Sequence, residues 1–576
     1  MKKTLAFLIC ASMLAAGLTA CDTSSDAETT SQTAESTGSE TASEEPVELS
    51  IWYVTSLGPQ EEQNPPFDYE EDYLKLVEDK FNIKITTTHI AEGQSEETLN
   101  ILLTQKDLPD IIRAPFYQKI DIPQLRRNQQ LIPVDDYKEY APDYYKILEE
   151  NPTIYKNVSD EDGAVLFFCN PKIELEYGFT GGLEIRMDWL QKLNLEMPTT
   201  PDELLDVFRA FKTQDPNGNG QADEIPFVGS RGSLITLGDY FGVNDTFVMK
   251  GGLNGEVVFS PFEEEPFKDA LRFMATVYQE GLINDNFLVM DNGMRDTWMA
   301  QGVAGSTLTA VTNMARWNTS ECEDPDFLLW PCDPLYYNGV QYFDRGDIVT
   351  QMDSGAAFVT TSCEHLEKAF EYLNYGFTEE GHKLQSYGVE GIHYTMNGEL
   401  VQFSDFIMNN ENGISPDVAL SRYVGLPGMN TYGDMQVLAQ TTLTDPASRQ
   451  AVLKSWPDAF NAETNINLPN VSYTDEEKDE YAAIMADVQT YVEETINKFI
   501  VGDLDVDADY PTFVETLKSM GAERALEINQ AAVERWQNKG GVEYEFVEKR
   551  ADVSGYIDQI PFKTEKGLEY LDEDLK

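Results

Sequence analysis

Cysteine and histidine, which supply most metal and redox motifs, are scarce in this chain of 576 residues. None of the six cysteines forms a CxxC pair, so zinc and thioredoxin-like motifs are absent. Cys322 and Cys332 are near enough in sequence to bridge a loop, and buried free thiols are the alternative. The four histidines show no HExxH spacing, no serine stands in a GxSxG elbow, and no P-loop or dinucleotide fingerprint occurs. These absences argue against the common hydrolase and nucleotide-binding classes.

Basic residues are also scarce: 41 Lys and Arg stand against 101 Asp and Glu, which leaves a formal net charge of -60. Such a charge argues against nucleic acid or an anionic membrane surface as a partner. The many carboxylates do not indicate a glycosidase, because some pair will lie at a catalytic separation by chance. The composition therefore favours a solvated exterior and makes a polysaccharide-degrading enzyme a weak hypothesis.

No apolar run is long enough to span a bilayer, since the run at residues 5–14 is short. That run follows two lysines, as in a signal peptide, and the sequence LTAC ending at Cys21 resembles a bacterial lipobox. This predicts a lipoprotein signal peptide over 1–20 and acylation of Cys21; an ordinary secretory signal is the alternative. The segment after Cys21 lacks aromatic residues, which predicts a disordered acidic tether over 21–46.

Strand and helix patterns alternate in the first part of the body. The sequence predicts strands at 47–55, 83–89 and 110–113 and helices at 69–81 and 96–105. This order predicts a parallel α/β sheet whose ligands collect at the carboxyl ends of the strands. A second α/β region begins at 177–189. Further helices are predicted at 265–279, 363–375, 475–499 and 510–538.

The sequence DPNGNGQADEIP at 215–226 has the spacing of a loop that wraps round a hard cation. Oxygen side chains stand at positions one, three and five, and Gly220 stands at position six, where the sharp turn needs a residue without a side chain. Position twelve is Pro226 instead of the Glu of an EF-hand, so Asp223 and Glu224 are expected to close the shell. The alternative is an Asx-rich turn without metal. A catalytic ion is not expected, because the loop fills most of the shell itself.

Five motifs in register resemble the extracellular solute-binding proteins of sugar ABC importers, and most closely the large alginate-binding and oligosaccharide-binding lipoproteins. They cover about residues 47–538 in the family's order. The motifs are DLPDII at 107–112, IRMDWL at 185–190, the loop ending in DEIP at 226, YQEGLI at 278–283 and GVEGIHY at 388–394.

The resemblance implies an α/β fold of the periplasmic-binding-protein type II, with two lobes joined by a hinge and closing on a sugar. It also implies a structural Ca²⁺ held by Asp215, Asn217, Asn219, Gln221, Asp223 and Glu224. The implied division is 47–170 and 306–376 for the first lobe, 171–305 (with the loop 215–226) and a helical part at 377–540 for the second, and 541–576 as a C-terminal extension without assigned function.

Sugar recognition uses aromatic rings that stack on apolar sugar faces and polar groups that bond hydroxyls. The expected stacking residues are Trp52 and Trp317, with Trp330 and Tyr394 as second choices. The expected polar contacts are Arg113, Glu390 and His393. For each of these residues a purely structural role, in the core or in an ion pair, is the alternative.

The sequence thus predicts a binding protein and no enzyme. Its expected place is the extracellular face of the cell membrane, held there by the lipid anchor alone. The expected partners are an oligosaccharide or other sugar and the permease subunits of an ABC importer, with the protein itself a monomer. A surface lipoprotein that reports a ligand to a signalling receptor is the main alternative.

Overall fold

The computed structural model describes residues 45–55, 73–91, 95–114, 120–344, 350–411, 413–539 and 546–576. The predicted signal peptide, Cys21 and most of the tether lie outside the described residues. None of the helices in the described ranges has the length and apolar character needed to cross a membrane.

Fifteen strands are described, and they form two principal sheets and three hairpins. In chain order they are β1 (Val47–Thr55), β2 (Ile83–Ala91), β3 (Ile111–Ala114), β4 (Leu131–Ile132), β5 (Phe168–Pro171), β6 (Gly181–Arg186), β7 (Phe247–Lys250), β8 (Glu256–Phe259), β9 (Ser306–Ala310), β10 (Leu329–Pro331), β11 (Tyr336–Tyr337), β12 (Val340–Gln341), β13 (Met352–Thr360), β14 (Tyr394–Asn397) and β15 (Leu400–Phe403).

The first sheet has the order β2-β1-β3-β13-β4, and β5 also pairs with β13. Strands β1, β2 and β3 run parallel, as their alternation with helices predicts, whereas β13 is antiparallel to β3, β4 and β5. The second sheet is antiparallel, with β6 between β9 and β10. Because β13 follows the whole second sheet in sequence, the chain returns to the first sheet after leaving it.

The helices surround these sheets. The described α-helices are Leu74–Phe81, Ser95–Leu102, Ile122–Arg127, Pro142–Glu150, Pro152–Val158, Met187–Leu193, Pro201–Thr213, Arg231–Gly238, Glu264–Gln279, Asn292–Ala300, Val311–Arg316, Leu366–Tyr375, Glu379–Ser386, Asp405–Met408, Pro416–Tyr423, Met435–Thr441, Pro446–Gln450, Trp456–Ala459, Asp475–Val501, Val506–Ser519 and Ala522–Asn538. The helix predicted at 510–538 is in fact two, because Gly521 has φ +95° and breaks it.

Each principal sheet has its own hydrophobic core. Leu49, Ile111 and Phe168 lie in the core of the first sheet. Leu183 of β6 lies in the core that the second sheet shares with the long helix Asp475–Val501. A third core includes Leu329 of β10 in the second sheet and tryptophans 317, 330 and 456.

The range 306–376, which the resemblance assigns to the first lobe, begins in the second sheet. Ser306–Ala310 pairs with β6, and the hydroxyls of Ser306 and Thr307 donate to the carbonyl oxygens of Pro226 and Val228. These bonds fix β9 to the chain that follows the 215–226 loop. The remaining lobe boundaries stay a prediction.

Residues 546–576, for which the sequence predicts only an extension, are packed against the protein body. Ile557, Ile560, Leu571 and Leu575 are buried in the third core. The extension is therefore a structural part of the region round the second sheet.

Candidate functional site

Arg113 lies near the carboxyl edge of the first sheet, where the sequence places it. On β3 it pairs with Tyr53 of β1 on one side and Ala357 of β13 on the other. Residues paired across neighbouring strands have adjacent side chains, so Tyr53 and Arg113 form one row. Both are partly exposed, which leaves a cationic and an aromatic group accessible at this edge.

The guanidinium of Arg113 is held in place by its neighbours. Its Nε donates to Oδ1 of the buried Asn430 at 2.8 Å, and the Asn430 amide donates to the carbonyl oxygen of Phe168 at 2.7 Å. Gly355 lies close beside it: a Cβ there would lie 3.3 Å from Nη2 of Arg113 and 3.2 Å from Nδ2 of Asn170, so these side chains would have to shift slightly to admit one. The arrangement fixes a partly exposed cation, which is suited to bonding hydroxyl or carboxylate oxygens of a ligand.

The second sheet has a cavity of about 220 Å³ where β9 ends and β6 begins. Aromatic and polar side chains alternate round it, among them Tyr240, Thr309, Tyr342, Phe343, Asp344 and Trp456. A cavity with ring faces beside hydroxyl and carboxylate groups can bind a ligand that has both apolar faces and hydroxyls.

The polar groups of this cavity are oriented by hydrogen bonds. Oγ1 of Thr309 accepts from Nη1 of Arg295 at 3.1 Å and from Nδ2 of Asn313 at 2.8 Å. Oδ1 of Asp344 accepts from Nδ2 of Asn467 at 2.5 Å. Thr309 can therefore donate its own proton outward, and the second oxygen of Asp344 can accept from a ligand hydroxyl.

Sequence analysis does not single out these cavity residues. Tyr240, Thr309 and Asp344 come from three segments that meet only in the folded chain. Only a weak sequence signal could have indicated them: the residues YFD at 342–344 directly follow the short hairpin β11–β12.

The tryptophans predicted to stack on a sugar are buried. Trp52 is 2% exposed in the first core, and Trp317 is 1% exposed, with the guanidinium groups of Arg295 and Arg316 within 6 Å of its ring centroid. Trp330 is 7% exposed and packs edge-on against Tyr570, with ring centroids 5.6 Å apart. Protein covers these rings in this structure, which favours the structural alternative for all three.

The segment with Glu390, His393 and Tyr394 forms a compact turn. His393 is 1% exposed, its Nδ1 accepts from the backbone N–H of Val389 at 2.9 Å, and burial lowers its pKa to about 4. Tyr394 is buried, whereas Glu390 is exposed. Of the three, Glu390 alone has a side chain open to a ligand here, and the ligand-binding role of each stays a prediction.

The 215–226 loop has the local shape expected of a cation loop. Gly218 and Gly220 have φ of +71° and +75°, and a Cβ at either glycine would meet nothing within 4 Å, so backbone conformation is what favours glycine there. The carboxylate of Asp215 accepts from the backbone N–H of Gly220, and Oδ1 of Asn219 accepts from that of Gln221 at 2.7 Å. These bonds turn the chain back on itself.

The side chains of the loop converge on Asp223. The amide groups of Asn217 and Asn219 donate to the carboxylate of Asp223 at 3.0 and 3.1 Å, while their oxygens accept from the backbone N–H groups of Asn219 and Gln221. Oε1 of Glu224 is buried without a hydrogen-bond partner. Burial raises the pKa of Glu224, and the carboxylates of Asp223 and Asp215 raise it further. The carboxylates of Asp215, Asp223 and Glu224 thus lie close enough to repel one another, and a hard cation bound among them would relieve that repulsion.

No three His, Cys, Asp or Glu side chains within the described ranges are already gathered as a metal site. The loop differs from such a site because asparagine and glutamine supply half of its six predicted ligands. The four described cysteines, Cys169, Cys322, Cys332 and Cys363, are free thiols.

The chain matches no known family profile. It is 26% identical over 511 residues to FusA, the fructooligosaccharide ABC transporter substrate-binding protein of Streptococcus pneumoniae, covering 84% of this chain and 90% of FusA. It is 23% identical over 487 residues to YtcQ, the polygalacturonan/rhamnogalacturonan-binding protein of Bacillus subtilis, covering 81% of this chain and 88% of YtcQ.

Solved structures give the same picture of the fold. The alginate-binding protein AlgQ2, solved without calcium ion, has a TM-score of 0.67 at 21% identity, covering 85% of this chain and 98% of AlgQ2. An EF-hand mutant of FusA in complex with fructo-nystose has a TM-score of 0.65 at 21% identity, covering 85% and 99%. The predicted two-lobe α/β clamshell is confirmed. In sequence, the chain is thus similar to substrate-binding proteins of ABC transporters along most of its length.

Proposed function

We propose that this protein captures an oligosaccharide outside the cell and delivers it to the permease of an ABC importer. The observation that carries the proposal is the match along 84% of the chain to FusA, which binds fructooligosaccharides by name, together with the match to YtcQ. These relatives are named for different glycans, so they support an oligosaccharide as the class of ligand. The individual sugar depends on this chain's own site.

The two halves of the proposed site have complementary roles. The edge of the first sheet offers the oriented guanidinium of Arg113 beside Tyr53. The cavity of the second sheet offers the rings of Tyr240 and Tyr342 and the oxygen groups of Thr309. A ligand that touches both lobes favours their closed arrangement, because those contacts exist together only when the lobes are closed.

The 215–226 loop is proposed to bind Ca²⁺, and the bound ion would stiffen the region round the second sheet. The ligands would be the oxygen atoms of the residues predicted for this role: Asp215, Asn217, Asn219, Gln221, Asp223 and Glu224. Bound there, the ion would neutralise the carboxylates that otherwise repel one another. The loop leads directly into Ile225, whose backbone N–H donates to the carbonyl oxygen of Val303 at 2.9 Å, just before β9. The ion is therefore proposed to be structural.

The protein is proposed to act at the extracellular face of the membrane, held by acyl chains on Cys21. The lipobox-like LTAC sequence supports this, and so does the acidic segment that separates Cys21 from β1. The permease subunits of the importer are the proposed protein partners, and the protein itself is proposed to be a monomer.

Sugar binding is proposed to proceed without catalysis. The relatives are binding proteins by name. The proposed site relies on a fixed guanidinium, ring faces and single oxygen groups, which bind hydroxyls without needing a general acid and nucleophile.

A thermal-shift screen of residues 47–576 tests the proposed function. The probes are kestose, trigalacturonate, an alginate trisaccharide and maltotriose, with each sugar chromatographed afterwards. We expect at least one probe to raise the melting temperature in a saturable manner and to be recovered intact. Cleaved sugar would contradict the proposal, and so would the absence of any shift across a wider glycan panel.

A further inference from the structure

The C-terminal segment 546–576 is bonded to two structures that border the cavity of the second sheet. One is the helical stretch that runs from Pro446–Gln450 through Ala451–Ser455 to Trp456–Ala459. The other is the segment round Glu176, just before β6. Because both lead into the cavity walls, the position of the C-terminal segment bears on the shape of the cavity.

Arg449 is the main contact to the helical stretch. It is completely buried, and its guanidinium donates to the carbonyl oxygens of Ile557 and Leu575 at 3.3 Å and of Ile560 at 2.9 Å. One side chain thereby bonds three separate points of the C-terminal segment. Its Nε also donates to the carbonyl oxygen of Leu443 at 2.9 Å, so the guanidinium bonds four carbonyl oxygens, one more than the three donors of a lysine ammonium could.

Further bonds fix the same face of the helical stretch. Gln450 and Asp572 exchange two hydrogen bonds, of 2.9 and 3.1 Å. Lys454 pairs with Asp572 at 3.2 Å and with Asp574 at 2.7 Å. The contact therefore extends along two turns.

Trp456, at the end of this stretch, forms part of the cavity wall. Its Nε1 donates to the carbonyl oxygen of Cys332 at 2.9 Å, and its ring covers Gly182 so closely that a Cβ there would lie 2.6 Å from the ring. Residues 451–455, between Arg449 and Trp456, form a π-helix. A π-helical turn is uncommon, occurs often at functional sites and needs surrounding contacts to persist.

The second contact of the C-terminal segment is with Glu176, which precedes Gly182 of β6 in the chain. Nε of Arg550 donates to Glu176 at 2.7 Å, and the backbone N–H of Ala551 donates to the same carboxylate at 2.9 Å. Arg550 also donates to the carbonyl oxygen of Leu453 in the π-helical turn at 3.0 Å. Arg550 thus links the segment that precedes Gly182 to the helical turn that precedes Trp456, and both of these residues line the cavity.

We propose that residues 546–576 act as a brace that fixes Trp456 against Gly182 and so determines the shape, and with it the sugar selectivity, of the cavity. The effect on sugar selectivity rests on the function proposed above, whereas the bracing of Trp456 by residues 546–576 does not. Arg449 is then a positioning residue that acts through Trp456.

Hydrogen exchange by mass spectrometry on residues 22–576 tests the brace without requiring a ligand. We expect Arg449→Lys to raise amide exchange at least fivefold in the peptides covering 451–459 and 179–186. Arg524→Lys is the matched control, because Arg524 makes a forked pair with Glu480 on the surface and should leave both peptides unchanged. Asp572→Ala, which removes the carboxylate bonds to Gln450 and Lys454 and leaves the backbone bond to Gln450 in place, replaces Arg449→Lys if the latter does not fold.

Binding of kestose and trigalacturonate to the same variants supplies the second measurement. We expect the brace variants to weaken the preferred probe at least tenfold and to change the ratio of the two affinities, while Arg524→Lys changes neither. Increased exchange confined to 546–576 with unchanged cavity peptides would overturn the brace. If the unmodified protein binds neither probe, the exchange result still decides the brace, and the missing binding counts against the proposed function alone.

Discussion

The ammonium group of Lys156 donates a hydrogen bond of 2.8 Å to the carbonyl oxygen of Gln537. The ammonium group of Lys539 in turn donates to the carbonyl oxygens of Lys156 and Ser159 at 2.9 and 2.8 Å. Each lysine thus bonds the carboxyl end of the other's helix, where the helix dipole favours a cation. Because Pro152–Val158 contributes to the first core and Ala522–Asn538 to the second, these bonds link the two cores.

The lysine pair predicts a dependence of stability on pH. Burial lowers the pKa of Lys539 to about 8, below the 10.5 of a free lysine. The unfolded state therefore holds this proton more tightly, and the free energy of unfolding that the group contributes rises as pH increases from 8 towards 10.5. We expect this rise, measured by urea unfolding between about pH 7.5 and 9.5, to be smaller in Lys539→Met. Lys518→Met is the control, and an equal slope in all three proteins would contradict the assignment.

Removal of calcium is expected to lower stability. An ion that binds only the folded state at about 100 times its dissociation constant adds about 2.7 kcal/mol. We therefore expect a chelator to lower the melting temperature of the unmodified protein by a few degrees. The double variant Asp223→Asn, Glu224→Gln should be insensitive, and Asp206→Asn, on the preceding helix, should respond like the unmodified protein. Insensitivity of the unmodified protein would leave the loop as a metal-free turn.

Loss of the Arg113 guanidinium is expected to weaken sugar binding. A hydrogen bond to a charged group contributes about 1.5–3 kcal/mol, so Arg113→Met should reduce affinity by about 10- to 100-fold as measured by calorimetry. Arg209→Met, which removes a surface pair with Glu280, is the matched control. Unchanged affinity in Arg113→Met would remove this residue from the site.

Acylation of Cys21 is expected to hold the protein on the cell. In Cys21→Ser, labelled palmitate should no longer be incorporated, and the protein should appear in the medium. Cys10→Ser changes a cysteine within the signal peptide and should leave labelling intact. Release of both variants, or of neither, would argue for a different mode of attachment.

Local sequence patterns predict the three parallel strands of the first sheet because their determinants are local, whereas the antiparallel β13, which joins from far along the chain, is not predicted. The β-branched residues of 47–55 and 83–89 are sufficient to indicate strands, and alternation with helices gives their parallel order. The same reasoning places Arg113 at the carboxyl edge. Its orientation by Asn430, more than 300 residues later in the chain, has no local signal.

Aromatic residues show the limit of such reasoning. Nothing adjacent to Trp330 indicates that Tyr570 will cover it, since the contact depends on how the C-terminal segment packs. Tyr240 and Tyr342 are ordinary in their local sequence, and folding brings them to one cavity. Exposure, which decides whether a ring can stack on a sugar, is thus a property of distant contacts.

Small-angle X-ray scattering with and without a bound oligosaccharide measures directly whether the two lobes close on a sugar. We expect the radius of gyration to decrease when a sugar with demonstrated affinity is added, and the sugar to be recovered unchanged. An unchanged radius at saturating sugar, or recovery of a cleaved product, would contradict this expectation.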